Sequence, residues 1–152
     1  MNFKLRALNY SYDYPRPAVS ADIAVFRKEG HTLQILLIRR KNPPFRGMWA
    51  LPGGFMEIDE TLEETAAREL REETGLTNVD LKQLKAFSQV DRDPRTRVVT
   101  VVFYGMVSLE NSVATGGDDA EKAEWFAVDS LPPLGFDHSQ IIDLVMIEKD
   151  DR

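Results

Sequence analysis

An α/β fold, a β-sheet covered by a helix on each face in an α/β/α sandwich, is predicted by three observations on this 152-residue chain. Short runs rich in β-branched and other apolar residues recur at 19–26, 33–39, 82–90, 97–107 and 123–128. Two segments with helical spacing stand among them, one from near Glu60 to Thr74 and one opened by Asp137 and running to about Glu148. A hydrophobic content of 43% supplies an ordinary core for one domain.

Each element has a local reason. Residues 1–17 are rich in tyrosine and carry Pro15 and Pro17, which favours an extended arm, either an edge strand or a segment exchanged in a dimer, ahead of a single domain over 18–152. The strands at 19–26 and 33–39 flank the turn Lys28-Glu29-Gly30-His31 and read as a hairpin. The run at 97–107 is so continuously apolar that it belongs in the middle of the sheet, covered on both faces. The first helix has Asp59 and Thr61 available as caps, Glu63 and Glu64 at its positive end, and Gly75 placed as a left-handed C-cap. Ala66, Ala67 and Leu70 are expected to form its packing face, and Ile141, Leu144 and Val145 that of the last helix.

Composition excludes several classes. Nineteen Lys and Arg against 25 Asp and Glu leave a net charge of −6, which argues against duplex nucleic acid or an anionic membrane as partner. There is no cysteine, hence no disulfide and no thiolate zinc site. The N-terminus has no apolar leader and no run approaches a transmembrane span, so a cytoplasmic protein is expected.

The most informative stretch is GFMEIDETLEETAARELREETGL, residues 54–76. Glu69, Glu72 and Glu73 fall at i, i+3 and i+4 and share one arc of a helix. Like charges at that spacing cost a few tenths of a kcal/mol per pair, and a hard divalent cation bound between them would reverse the sign. Gly53 and Gly54 read as a loop whose bare backbone can approach a cation or a diphosphate. Arg68, Glu64 and Glu60 lie on another side, as a brace.

Gly54, Glu60, Arg68, Glu69, Leu70, Glu72, Glu73, Gly75 and Leu76 fit G-x5-E-x7-R-E-U-x-E-E-x-G-U, with U aliphatic, without a departure. A chance match at a given start is on the order of one in a billion. The stretch resembles the Nudix box, the signature of the Nudix hydrolases. The strings at 91–99 and 131–138, DRDPRTRVV and LPPLGFDH, are similar to the ADP-ribose pyrophosphatase branch and to the related domain of some regulators of NAD metabolism.

That resemblance implies a Nudix-type α/β/α sandwich with a mixed β-sheet, and hydrolysis of a nucleoside diphosphate linked to another moiety, in first place ADP-ribose to AMP and ribose 5-phosphate. It implies Mg²⁺ or Mn²⁺ held by Glu69, Glu72, Glu73 and a carbonyl of Gly53, with a further carboxylate from the loop carrying Asp118, Asp119 and Glu121. Glu69 or that loop would take the proton from water. The partner is a small nucleotide-sugar, and a homodimer stays open.

Substrate phosphate calls for guanidinium groups, and Arg39, Arg40 and Arg46 stand on the approach to the glycines. Arg95 and Arg97 either face substrate or pair with Asp91 and Asp93 in a turn. Trp49 is expected to pack under the loop, and His138 to be a first-turn helix residue without a ligand role. Two alternatives stay open. One is a nucleoside triphosphate pyrophosphohydrolase of the 8-oxo-dGTP type. The other is a non-catalytic ADP-ribose sensor, disfavoured by the intact acids and by a chain length that leaves no room for the winged-helix domain of such regulators.

Overall fold

The protein is described by a computed structural model that covers residues 10–117 and 120–151. In chain order the elements are β1 (Ala18–Glu29), β2 (Thr32–Arg40), β3 (Trp49–Ala50), β4 (Gly53–Phe55), α1 (Leu62–Thr74), β5 (Lys82–Phe87), β6 (Val98–Met106), β7 (Ala120–Ala127) and α2 (His138–Glu148). All seven strands form one mixed sheet, the fold expected from the sequence. The strand β1 organises it. It runs parallel to β6 from Ala18↔Val98 to Phe26↔Met106, and antiparallel to β2 at one end and to β4 at the other. The other side of β2 pairs with β7, and β5 closes the far edge on β6.

Alternation along the strands divides the core into two layers. Ala21, Ile23 and Val25 of β1, Leu36 of β2 and Val101 and Phe103 of β6 face α1, whose Ala66 and Leu70 complete that cluster. Ala24, Phe26, Ile35, Leu37, Val102 and Tyr104 face the other way, onto Ile141, Ile142 and Val145 of α2. Each fully buried Leu or Ile removes enough apolar surface to stabilise the fold by about 1.5–3 kcal/mol. The register has a functional consequence. Ser20, Asp22 and Thr100 share the face of the α2 layer but lie beyond its apolar residues, so the sheet carries a polar patch next to the start of that helix.

Several expectations are corrected. Gly53 and Gly54 are not a loop but most of β4, where a side chain at Gly53 would strike β1 and one at Gly54 would strike Glu69. The hairpin turn is Gly30 and His31 alone, with Glu29 and Thr32 already paired. Ala67 is exposed, being one step past the buried arc of Ala66, Leu70, Glu73 and Thr74. Leu144 is only half-buried, and Ile142 takes the central place. The strand expected at 82–90 ends at Phe87, and the one expected at 123–128 begins three residues earlier, at Ala120. Of the extended arm, residues 1–9 lie outside the described residues, and 10–17 are exposed. Among the described residues no helix is long and apolar enough to cross a membrane.

Thr61 begins α1 by accepting the Glu64 amide on its side chain, and Gly75 ends it at φ 79° with its own amide bonded to the Arg71 carbonyl. Replacing Thr61 by Ala leaves an orphan donor at the helix start, with an expected loss of about 1 kcal/mol in urea unfolding. A loss below about 0.3 kcal/mol would show that the cap is redundant.

Candidate active site

The residues of the acidic helix face a groove whose opposite wall is basic. Gly53, Gly54 and Glu57, with Glu69, Glu72 and Glu73 of α1, line it together with Arg40, Asn42, Pro43 and Arg95, the last set over the Phe55 ring, around about 460 Å³ of space. Beneath it is a recess of about 60 Å³ reaching Ser20, Asp22, Arg92, Phe136 and His138. The groove has the size of an ordinary small-molecule site, whereas the recess has room only for a few waters.

Each acid is placed by a specific contact. Glu73, buried, accepts the Gly53 amide at 2.8 Å, which ties the C-terminal half of α1 to β4. Glu69 lies against Gly54, where any Cβ would collide with its carboxyl group. Arg68 then balances three carboxylates at once, Glu60 at 2.6 Å, Glu69 at 2.7 Å and Glu72 at 3.1 Å. The expected brace is thus formed by Glu60 and Arg68, while Glu64 bonds Thr61 instead. Arg68 also donates to the Phe55 carbonyl, so one guanidinium fastens helix, strand β4 and the intervening loop.

The same arginine leaves two carboxyls with opposite properties. Glu60 is lowered to about 2, chiefly by its hydrogen bonds from Arg68. Glu69 is raised, because burial outweighs the help it receives from Arg68 while Glu72 and Glu60 repel its charge. Arg68 itself is raised by the carboxylates, the Glu60 hydrogen bond foremost.

The arginines separate as strand geometry requires. Adjacent residues of β2 point to opposite sides, and a register irregularity falls between Arg39 and Arg40. Arg40 lines the groove, with its guanidinium 4.9 Å from the centre of the Phe136 ring. Arg39 turns instead to Glu121 at 3.6 Å and to the Gly47 carbonyl. Arg95 also lines the groove, paired with Asp93 at 2.7 Å and set over the rings of Phe55 and Phe136. The pairing expected from the sequence is therefore present, with Asp93 as the partner, in a side chain that also borders the groove. Arg46 is exposed and lines neither cleft. Arg97 donates to the carbonyls of Ser88 and Gln89, and it too lines neither cleft.

Glu121 is exposed on β7, paired with Arg39. Asp118 and Asp119 lie outside the described residues. Among the described residues no three His, Asp or Glu side chains are drawn together tightly enough to hold a metal ion. Glu69, Glu72 and Glu73 share a groove wall, but Arg68 stands between the first two and the Gly53 amide holds the third. Their donor chemistry, carboxylate oxygens beside a bare glycine backbone, is that of a hard divalent cation.

Sequence reasoning missed the polar cluster under the recess. Asp22 accepts the Thr100 hydroxyl at 2.6 Å and lies 3.7 Å from Arg92 and 3.6 Å from His138 Nε2. Arg92 grips Asp137 through two bonds, at 3.0 and 2.7 Å. His138, the first residue of α2, is buried and accepts the Leu51 amide on Nδ1 at 2.9 Å, which gives it a structural role. Burial would raise the Asp22 carboxyl, but His138, the Thr100 hydroxyl and Arg92 bring it below its usual range. The overlooked signal was Asp22 itself, an acid in an otherwise apolar strand.

The NUDIX domain family model matches residues 16–145. An ADP-ribose pyrophosphatase of Methanocaldococcus jannaschii is 46% identical over 129 residues, which are 85% of this chain and 73% of that protein. The ADPR responsive transcriptional repressor NtrR of Acinetobacter baylyi is 35% identical, over 86% of this chain but only 53% of the repressor. The NUDIX domain of Shewanella oneidensis NrtR, solved with ADP ribose, superposes with a TM-score of 0.84 at 29% identity, covering 97% of this chain and 99% of that domain.

Stability of the brace depends on pH in a defined direction. The depressed Glu60 carboxyl contributes stability above its ordinary value of 4.5, and that contribution is lost as pH falls through about 2. Glu60→Gln should be less stable than wild type at pH 7, and the gap should close between about 4.5 and 2 in urea unfolding at stepped pH. A gap unchanged across that window would remove Glu60 from the acid-sensitive set.

Proposed function

The chain belongs to the Nudix hydrolase family, and from that premise we propose that it hydrolyses ADP-ribose to AMP and ribose 5-phosphate. The observation that carries this reading is the groove with Glu69, Glu72 and Glu73 on one wall and Arg40 and Arg95 on the other. A diphosphate bridge needs cations on its oxygens, and the product half needs an attacking water beside a carboxylate. The curated pyrophosphatase at 46% identity supports the choice of ADP-ribose.

Hydrolases of this family generally use divalent metals. The residues that would hold Mg²⁺ or Mn²⁺ here are Glu69, Glu72 and Glu73 with a carbonyl of Gly53. When bound, such a cation supplies neutralisation of the diphosphate and a lower pKa for coordinated water. The protein's own residues do the rest. Arg40 and Arg95 keep positive charge on the far wall, over the faces of Phe136 and Phe55, and orient the diphosphate across the groove. One proton leaves the attacking water as the P–O–P link breaks, and Glu69, largely withdrawn from solvent beside Gly54, accepts it. His138 does not serve in that role, since Nδ1 accepts an amide proton and Nε2 faces Asp22.

Glu73→Gln tests the acidic wall. The amide oxygen can still accept from Gly53, so the melting temperature should stay within about 3 °C while Mg²⁺-dependent turnover falls about a hundredfold or more. Near-wild-type turnover at saturating Mg²⁺ would remove Glu73 from the cation site. A substrate panel with product identification tests the rest. ADP-ribose should give a higher kcat/KM than any canonical nucleoside triphosphate or 8-oxo-dGTP, with AMP as product. A clear win for 8-oxo-dGTP would assign the chain to the triphosphate hydrolases, and binding of ADP-ribose without turnover would assign it to the sensors.

A further inference from the structure

The buried cluster beneath the groove has no part in the chemistry just described, yet it joins the loop that carries Arg95 to the segment that carries Phe136. Arg92, with its side chain only 3% exposed, lies in the loop that carries Arg95 three residues later. Its partner Asp137 directly follows Phe136, whose ring stands beside Arg40, Arg95, Phe45 and His138. Phe136 has φ 54°, a left-handed conformation that a bulky residue adopts only when its surroundings enforce it. Two of those enforcing contacts are the paired hydrogen bonds from Arg92 to Asp137 and the seat of His138 on the Leu51 amide. Asp22, locked on Thr100 in the middle of the sheet, places a second carboxylate 3.7 Å from Arg92.

We infer that Arg92 and Asp137 are a positioning pair that holds Phe136 and Arg95 together as one rigid wall, at a fixed distance from the glutamates, and thereby sets affinity for the substrate. The pair touches no substrate itself. It works because a guanidinium and a carboxylate in fork geometry fix both the distance and the plane between two loops, which a single hydrogen bond or an apolar contact does not. With the fork broken, the loop bearing Arg95 and the residue following Phe136 are free to move separately, and the phosphate-facing charge loses its place. The helix α1 is held by Arg68 and Gly53 instead, so the acids stay where they are. The inference thus predicts a weakened KM with little change in kcat. It rests on the ADP-ribose reading.

The experiment is a double-mutant cycle on the full chain with ADP-ribose and Mg²⁺. Arg92→Lys keeps the buried positive charge but cannot form the fork, and Asp137→Asn keeps the shape but sets an amide N–H or a weaker acceptor against the guanidinium. Each should raise KM about tenfold while kcat changes less than about twofold, a loss of ground-state and transition-state binding alike. The decisive readout is coupling. The effect of Arg95→Ala on kcat/KM should shrink at least threefold, by about 0.65 kcal/mol, in either background, whereas the effect of Glu72→Gln should persist in full. A pair with a merely structural role lowers the melting temperature and leaves both effects additive, and that additivity would overturn the inference, as would a fall in kcat at constant KM. If Asp137→Asn fails to melt cooperatively, Arg92→Lys carries the cycle. A wild type that neither hydrolyses nor binds ADP-ribose overturns the functional reading itself, and additivity in a wild type that hydrolyses it overturns only the positioning pair.

Discussion

The structure depends on a close approach at Gly53 and Gly54. On one side Gly53 lies against the backbone of Ala21 and Asp22, and on the other Gly54 lies against the carboxyl of Glu69. A side chain at either position would collide with strand or helix. Because both are bare, β4 can pair with β1 while the acidic face of α1 comes down onto it, and the Gly53 amide meets Glu73. The groove is therefore an outcome of backbone packing. The strand that anchors the core also fixes the height at which the carboxylates stand.

Bringing four carboxylates to one region has an electrostatic cost, and Arg68 offsets part of it by bonding three of them. Its bonds to Glu60, Glu69 and Glu72 are charge-assisted and shared among partners with different burial. Glu60 is well enclosed by donors, with the Glu57 amide and the Thr65 hydroxyl adding to Arg68, and stays ionised far into acid. Glu69 has fewer donors and more burial, so its proton affinity rises. The same cation thus holds Glu60 ionised, while burial raises Glu69 in spite of it. The difference comes from surroundings, since the two residues are chemically identical.

What could be read from the sequence follows the range of the interactions. Thr61, Gly75 and the glutamate spacing on α1 are local, set by helix geometry within a few residues, and the structure places them as expected. The interior strand β6 was legible because a strand buried on both faces is apolar along nearly all its length, Thr100 being the polar exception. Gly53 and Gly54 were recognisable as a site of close approach but not as a strand, because their partner is β1, some thirty residues earlier. The arginines show the limit most clearly. Arg40 and Arg95 reach the groove while Arg39 and Arg97 do not, and the difference lies in a strand irregularity and in two loop carbonyls that no local pattern reveals. Arg92 pairs across 45 residues with Asp137 and not with the aspartates beside it, a contact only the fold could disclose.

The two walls of the groove are built on different physical terms, and this bears on how one fold can host related activities. The acidic wall belongs to a helix capped at both ends and seated on the sheet by Ala66 and Leu70, so its geometry is as rigid as the core. The basic wall is assembled from a strand end, a loop and the residues leading into α2, held by ion pairs and stacked rings. Ion pairs and ring contacts can be exchanged for others without disturbing the hydrophobic layers, whereas a change on α1 alters packing and charge balance together. On the proposed reading, selection of the group linked to a diphosphate falls to the loop-built wall, and the hydrolytic step to the helix. The exposed face of Arg95, backed by Asp93 and flanked by Phe55 and Phe136, is where a change of substrate would meet the least resistance from the rest of the fold.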